Sequence, residues 1–146
     1  MQLHCPHCHK ANRVPAQRLG DSPICGACGE GLTNGVVELD SAALQDAITN
    51  SKIALIVDFW APWCGPCRMF APTFESAAKK HGGDILFVKV NTEEEEQAAG
   101  AHQIRSIPTL AVFHGGQEAG RVSGALPATQ LEQLISKVKA QVSAAP

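Results

Sequence analysis

The chain lacks the features by which nucleic-acid-binding and membrane proteins are recognised. Its basic residues form no cluster longer than Lys79-Lys80, and the formal net charge is −2. Such a chain has no electrostatic footprint for nucleic acid or for a membrane surface. No run approaches roughly 18 consecutive apolar residues, and residues 1–5 lack the basic start and apolar core of a secretory signal. We therefore expect a cytoplasmic protein that binds neither nucleic acid nor membrane.

Aromatic residues are also scarce, with no tyrosine at all. The 146 residues are nevertheless 45% apolar and 18% charged, a globular balance for one ordinary domain with a small appendage. The most informative residues are the six cysteines, which form three Cys-x-x-Cys pairs. In a reducing compartment these are expected to be metal ligands or redox catalysts rather than structural disulfides.

The first two pairs have the spacing of a zinc site. Cys5-x-x-Cys8 and Cys25-x-x-Cys28 are separated by residues 9–24, which fits a four-cysteine zinc ribbon. This segment has few large apolar side chains and cannot bury a core of its own; they are Leu3, Val14, Leu19, Ile24 and Leu32. A structural Zn²⁺ would supply the missing stability. We predict a zinc ribbon over residues 1–33, with a boundary near Asn34.

Two alternatives concern the first pair. His4, His7 and His9 crowd it and could replace a cysteine ligand, although four thiolates already complete a closed tetrahedral site. Cys5-Pro6-His7-Cys8 could itself be a redox pair, because Pro-His separates the cysteines of some strong disulfide oxidants. The matching second pair, and the absence of an apolar strand before Cys5, favour zinc.

The third pair has a different setting. The apolar run 53–60 leads into Ala61-Pro62-Trp63-Cys64-Gly65-Pro66-Cys67, and helix-forming sequence follows. This pattern predicts a buried central strand and then a thiol pair on the first turn of a helix. Backbone N–H groups and the helix dipole favour a thiolate there. Cys64 is therefore the candidate nucleophile, and Cys67, one turn into the helix, the candidate resolving thiol.

From residue 36 onward the periodicity predicts the order βαβαβαββα, an α/β fold with a mixed sheet between helices. The first predicted elements are a strand at 36–39, a helix capped by Asp40 or Ser41, a strand at 53–60 and a helix kinked at Pro72. A strand at 85–91 and a helix whose first turn is the acidic run 93–96 follow. A hairpin across Gly115-Gly116 and a helix opened by Pro127 complete the order. Residues 143–146 are expected to fray.

These residues resemble a known family. Val57-Asp58-Phe59-Trp60-Ala61-Pro62-Trp63-Cys64-Gly65-Pro66-Cys67, with Pro72 behind it and Ile107-Pro108-Thr109 later, is similar to the thioredoxins over residues 36–142. The ribbon further resembles the zinc-carrying subgroup of bacterial thioredoxins, the thioredoxin 2 type. The absence of tyrosine is a departure that affects no catalytic position.

The resemblance implies a protein-disulfide reductase that works through a mixed disulfide at Cys64. Asp58 matches the buried acid of the family, and its pKa should be raised because burial disfavours the charged form; the alternative is a solvent-facing residue at the strand end. Lys89 matches the lysine beside that acid, and would otherwise be an ordinary surface lysine. Pro108 matches the cis-proline that faces the active-site disulfide.

The resemblance also implies binding surfaces and partners. An apolar surface around Cys64 would dock clients, and it would consist of Pro62, Trp63, Gly65, Pro66, Ile107 and Gly124. The implied cofactors are a structural Zn²⁺ on Cys5, Cys8, Cys25 and Cys28 and the redox disulfide Cys64–Cys67. The implied partners are an NADPH-dependent thioredoxin reductase and disulfide-containing client proteins, with the chain itself a monomer.

Two other functions fit parts of the sequence. The ribbon could be a zinc-dependent protein-binding or chaperone module on a thioredoxin scaffold. Alternatively, the third pair could serve an oxidase or isomerase. The dipeptide Gly65-Pro66 favours a reductase, since thioredoxin has a low potential of about −270 mV.

Overall fold

The computed structural model describes residues 1–144, and the first part of it is a small ribbon. Strands β1 (Gln2–His4) and β2 (Ala11–Arg13) pair antiparallel, with Leu3 opposite Asn12. A 3-10 helix, Ala16–Asp21, follows. Each Cys-x-x-Cys pair lies in a tight turn that begins at its first cysteine, whose amide donates to a carbonyl five residues later in both cases. The two Cys-x-x-Cys turns of the ribbon therefore share one hydrogen-bonding pattern.

The remainder is a five-stranded mixed sheet between helices. The strands are β3 (Val36–Glu38), β4 (Ala54–Trp60), β5 (Ile85–Asn91), β6 (Thr109–His114) and β7 (Gln117–Ser123), in the spatial order β3-β5-β4-β6-β7. β3 and β4 run parallel to β5, whereas β6 is antiparallel to β4 and β7. The helices are α1 (Ser41–Asn50), α2 (Gly65–His81), α3 (Glu96–Ala101) and α4 (Ala128–Ala144). The predicted order βαβαβαββα is confirmed.

The central strand β4 separates two clusters of buried side chains. Alternate residues of a strand point to opposite faces, so Leu55, Val57 and Phe59 join the cluster on the α1 side. Ala54 and Ile56 belong to the cluster formed with α2 and α4. The side chains of Asp58 and Trp60 follow the same alternation onto the α2 face, at the end of the strand that leads to Cys64.

The ribbon shares the cluster on the α1 side. Its buried apolar residues are continuous with those of β3 and α1; the members are Leu3, Val14, Leu19 and Leu32 from the ribbon and Val37, Leu39, Leu44, Ala47 and Ile48 from the larger part. The contact is close, because a Cβ atom at Gly20 would lie 2.9 Å from Cγ2 of Ile53. Ile24 is the exception and is 66% exposed. The ribbon thus extends an existing core instead of forming one alone.

Two predictions concern the helices α2 and α3. Pro72 lies inside the continuous helix α2, and a kink there stays a prediction. The prediction that the acidic run opens a helix at Glu93 is wrong, since α3 begins at Glu96. The side-chain oxygen of Asn91 accepts hydrogen bonds from the amides of Glu93 (3.0 Å) and Glu94 (3.4 Å), and holds them in a turn.

α4 includes residues 143 and 144, while the predicted fraying of 145 and 146 falls on positions outside the described residues. Within residues 1–144, no helix is both long enough and apolar enough to cross a bilayer.

Candidate active site and metal centre

Cys64 and Cys67 lie at the junction between β4 and α2, and they form a disulfide. Cys64 is the N-cap residue of α2, and its Sγ accepts a hydrogen bond from the Cys67 amide at 3.2 Å. Pro66 follows at the start of the helix, where a missing N–H costs nothing. Cys64 is 5% and Cys67 2% exposed, so Cys67 is the more buried of the two. A sulfur at this N-cap is well placed to carry negative charge.

Asp58 is a buried acid on the same face of the sheet as α2. It is 1% exposed, and among the described residues its Oδ1 has no hydrogen-bond partner. Burial raises the pKa of the Asp58 carboxyl from 3.8 to about 7, and the charge of Lys89 opposes part of this rise. The solvent-facing alternative for Asp58 does not hold.

Lys89 lies directly beside this acid, as its register partner on β5. Its Nζ is 4.1 Å from the ring centroid of Trp60, within cation–π distance. Lys89 is half-buried, with its ammonium over an aromatic ring and its charge acting on the buried Asp58 carboxyl. An ordinary surface lysine would have neither neighbour.

Pro108 lies just before β6 and follows Ile107, which packs against Cys64 and Cys67. The Ile107–Pro108 peptide bond is cis, as predicted. The carbonyl oxygen of Ile107 lies 3.9 Å from Cys64 Sγ, and Pro108 accepts a hydrogen bond from the Gly124 amide at 2.8 Å. Ile107 therefore lies at the cysteine pair, and the loop of Gly124 is tied to the neighbouring Pro108.

The predicted docking surface is largely open to solvent. Trp63 is 67% exposed, Ile107 is half-buried, and the exposed remainder comprises Pro62, Gly65, Pro66 and Gly124. The structure adds one residue that the sequence reasoning missed: Glu93 accepts a hydrogen bond from Trp63 Nε1 at 2.5 Å. The bond fixes the exposed indole beside Cys64, and it places one carboxylate of the acidic run at the site.

The other four cysteines form a single cluster. Their sulfur atoms all lie within 4.8 Å of one another, with Cys5–Cys28 at 3.7 Å and Cys8–Cys25 at 3.6 Å. Four sulfurs about 2.3 Å from one Zn²⁺ would be about 3.8 Å apart. Both of these contacts join one turn to the other, and all four sulfurs share one cluster, which argues against a separate Cys5–Cys8 redox pair. The donor set therefore fits zinc.

Hydrogen-bond donors surround the sulfurs of Cys5 and Cys25, whereas burial and the neighbouring thiols raise the pKa of Cys28 to about 12. Cys5 Sγ accepts hydrogen bonds from the amides of His7 and Cys8, and Cys25 Sγ accepts one from Ala27 at 3.3 Å. Hydrogen bonds from the Cys28 amide and the Asn12 side chain lower the pKa of the Cys25 thiol to about 6. The three nearby histidines are exposed, and within the described chain the cluster contains cysteines alone. An alternative histidine ligand has no support.

Comparison with known proteins matches both parts of the chain to family models. The thioredoxin family model matches residues 35–137, and the zinc-ribbon model "Thioredoxin 2, N-terminal" matches residues 4–30. Thioredoxin C-3 of Corynebacterium nephridii is 37% identical over 138 residues, 94% of each chain. Thioredoxin 1 of a Nostoc species is 44% identical over 104 residues, 71% of this chain and 97% of that one.

Solved structures show the same fold. A thioredoxin of Malassezia sympodialis aligns with a TM-score of 0.63 at 34% identity, over 68% of this chain and 87% of the other. A thioredoxin variant from Halobacterium salinarum aligns with a TM-score of 0.66 at 28% identity, over 73% and 92%.

Proposed function

Because the chain belongs to the thioredoxin family and is a thiol-disulfide oxidoreductase, we propose that Cys64 is its nucleophile and Cys67 its resolving thiol. The observation that carries this assignment is the position of Cys64 Sγ at the N-cap of α2, where it accepts the Cys67 amide hydrogen. That amide and the helix dipole stabilise the Cys64 thiolate when the disulfide is reduced.

The reaction is a two-step exchange between the dithiol form and a protein disulfide. The Cys64 thiolate attacks one substrate sulfur, the substrate S–S bond breaks, and the released substrate thiolate takes up a proton. Cys67 then gives up its proton and attacks Cys64 Sγ, which breaks the mixed disulfide and releases the second substrate thiol. Two electrons pass to the substrate, and the chain ends in the Cys64–Cys67 disulfide form.

Asp58 is proposed to accept the Cys67 proton. With a pKa of about 7 it can hold or release a proton near neutral pH, as a general base should. Lys89 opposes the burial effect and so keeps this pKa from rising further. Pro108 is proposed to face the bound substrate chain, and the surface of Pro62, Trp63, Gly65, Pro66, Ile107 and Gly124 is proposed to dock it.

Replacing Cys67 with serine tests the division of roles. The first attack should proceed at Cys64 and the second should fail, so Cys67→Ser should accumulate a covalent mixed disulfide with an oxidised client protein. Non-reducing electrophoresis and mass spectrometry of the linked peptide would identify Cys64 as the attached residue. Attachment to one of the ribbon cysteines, or no trapping at all, would contradict the assignment. The exposed substitution Ser76→Ala is the control and should trap nothing.

Replacing Asp58 with asparagine should change both reactivity and stability. Release of the mixed disulfide should become slower, and its rise in rate between about pH 6 and pH 8 should flatten, because the titrating base is gone. In the parent chain the Asp58 pKa is raised on folding from 3.8 to about 7, so stability falls as pH rises through that interval. Asp58→Asn should therefore stabilise the chain by about 4 kcal/mol above pH 7, and by little near pH 4.

Denaturant titrations at several pH values and stopped-flow exchange would measure these two effects. Asp84→Asn, at an exposed position, is the matched control and should change neither. An unchanged pH profile in Asp58→Asn would remove Asp58 from the proton transfer.

For the ribbon, we propose that Cys5, Cys8, Cys25 and Cys28 hold one structural Zn²⁺. When bound, the ion would cross-link the two turns, because each turn supplies two of its ligands. The site would be structural, because four thiolates fill the coordination sphere and leave no open position for catalysis. Division of the chain into a ribbon at 1–33 and a thioredoxin domain at 34–146 is part of the same proposal. The two family matches, which meet between residues 30 and 35, support it.

The partners follow from the chemistry. An oxidised product must be reduced again, so an NADPH-dependent thioredoxin reductase is the proposed electron donor and disulfide-containing proteins are the proposed clients. A cytoplasmic location and a monomeric state are further proposals. A reducing compartment suits both a reductase and four cysteines held as thiols.

A further inference from the structure

We propose that Asn12 is a positioning residue of the metal centre, which stabilises Cys25 as a ligand and joins the two halves of the ribbon. This inference rests on the proposed zinc site. Asn12 lies in β2, outside both Cys-x-x-Cys pairs, and nothing in its sequence surroundings marks it as special. It is half-buried beside the second turn.

The Asn12 side chain makes three hydrogen bonds. Its Nδ2 donates to the carbonyl of Lys10 at 3.0 Å and to Cys25 Sγ at 3.5 Å, and its Oδ1 accepts from the Gly26 amide at 3.0 Å. Only one orientation of the amide is compatible with these neighbours, because the flipped group would turn its oxygen toward two acceptors. The two Nδ2 hydrogens therefore point at Lys10 and Cys25.

The contacts span the ribbon. Lys10 closes the first turn, where its carbonyl accepts from the Cys5 amide at 2.9 Å. Cys25 and Gly26 open the second turn. A single side chain thus connects the backbone of one turn to the backbone and the ligand sulfur of the other.

The bond to Cys25 adds a side-chain donor to the amide donors that each turn supplies to its first cysteine. Cys5 Sγ accepts two hydrogen bonds from amides of its own turn, those of His7 and Cys8. Cys25 Sγ accepts from the amides of Ala27 and Cys28 in its own turn, and Asn12 supplies a further, side-chain donor from β2. Donors of this kind stabilise a thiolate and fix its direction, and loss of an outer-shell partner typically costs about 10- to 100-fold in metal affinity.

Asn12→Asp separates the roles of the two ends of the amide. A carboxylate can still accept from the Gly26 amide, but it cannot donate to Cys25, and its negative charge faces the sulfur. We expect release of Zn²⁺ from the full chain to a colorimetric chelator to be faster by about tenfold or more. Gln17→Glu is the matched control, since it makes the same chemical change at an exposed ribbon position, and its release rate should equal that of the parent chain.

A second readout distinguishes donation to sulfur from general support of the fold. In chains loaded with Co²⁺, the sulfur-to-metal charge-transfer band should move to lower energy in Asn12→Asp and in Asn12→Ala, because the sulfur loses a hydrogen-bond donor. A merely structural role would leave the band energy unchanged. Should Asn12→Asp fail to fold, Asn12→Ala is judged by the same two criteria.

The outcomes distinguish failure of the proposed role of Asn12 from failure of the proposed zinc site. If the parent chain binds no zinc, the proposed metal site fails. If the parent chain binds one equivalent but both Asn12 variants release it within twofold of Gln17→Glu, or show an unshifted Co²⁺ band, the zinc site stands and the role of Asn12 is overturned.

Discussion

Replacing Cys64 with serine should reduce insulin reduction by this protein to the rate of dithiothreitol alone. The reaction requires a sulfur that can form a mixed disulfide, and a serine hydroxyl cannot replace it. Cys67 cannot take over, since it is 2% exposed and lies inside the helix behind Cys64. The loss should therefore be complete, and not a matter of a few fold.

Turbidity of precipitating insulin, with dithiothreitol as electron donor, measures this effect. Ser76→Ala, on the exposed face of the same helix, should retain the parent rate. Substantial turnover in Cys64→Ser would mean that another cysteine carries the reaction. Full biological function in a chain that lacks both Cys64 and Cys67 would instead support a scaffold or chaperone role.

Loss of the metal should destabilise the whole chain, not the ribbon alone. Binding of a structural zinc contributes on the order of 10–16 kcal/mol to the folding of a small metal domain. Here Leu3, Leu19 and Leu32 of the ribbon lie in the same cluster as residues of α1 and β3. Exposing two such leucines costs about 3 kcal/mol, which corresponds to a fall of about 10 °C in Tm for a chain of this size.

Cys25→Ser and chelation of the parent chain should both show this fall in thermal scans followed by circular dichroism. Cys64→Ser is the matched control, because it makes the same substitution outside the ribbon and should keep one equivalent of zinc. A Tm within about 2 °C of the parent value after complete zinc loss would contradict the coupling between ribbon and sheet.

The sequence predicted those features that depend on local pattern. Residues 53–60 alternate between two buried faces, and the Cys-x-x-Cys pair with Pro66 marks the helix start that follows. The four-cysteine spacing predicted one cluster because a closed zinc site constrains ligand spacing strongly. The raised pKa of Asp58 follows from a lone carboxyl inside an apolar strand.

Contacts between distant positions carried no such signal. Trp63 and Glu93 are 30 residues apart, and the pattern of four glutamates predicts a solvated helical turn, with no signal that Asn91 binds its amides. His81 of α2 accepts a hydrogen bond from Lys139 of α4 and pairs with Glu132 of α4 at 2.7 Å, across 51 positions. Such pairs depend on how α2 and α4 pack, and no periodicity in either helix encodes it.

The shared cluster beneath the ribbon limits how this protein could be recombined. Relatives such as the Nostoc thioredoxin match only 71% of the chain, so evolution has used the larger part without this appendage. In this chain, however, excision of the ribbon would leave the apolar side chains of β3 and α1 without their cover. A protein engineer who wished to remove the ribbon, or to graft it onto another thioredoxin, would have to redesign that face as well. The ribbon and its host are transferable only as a pair.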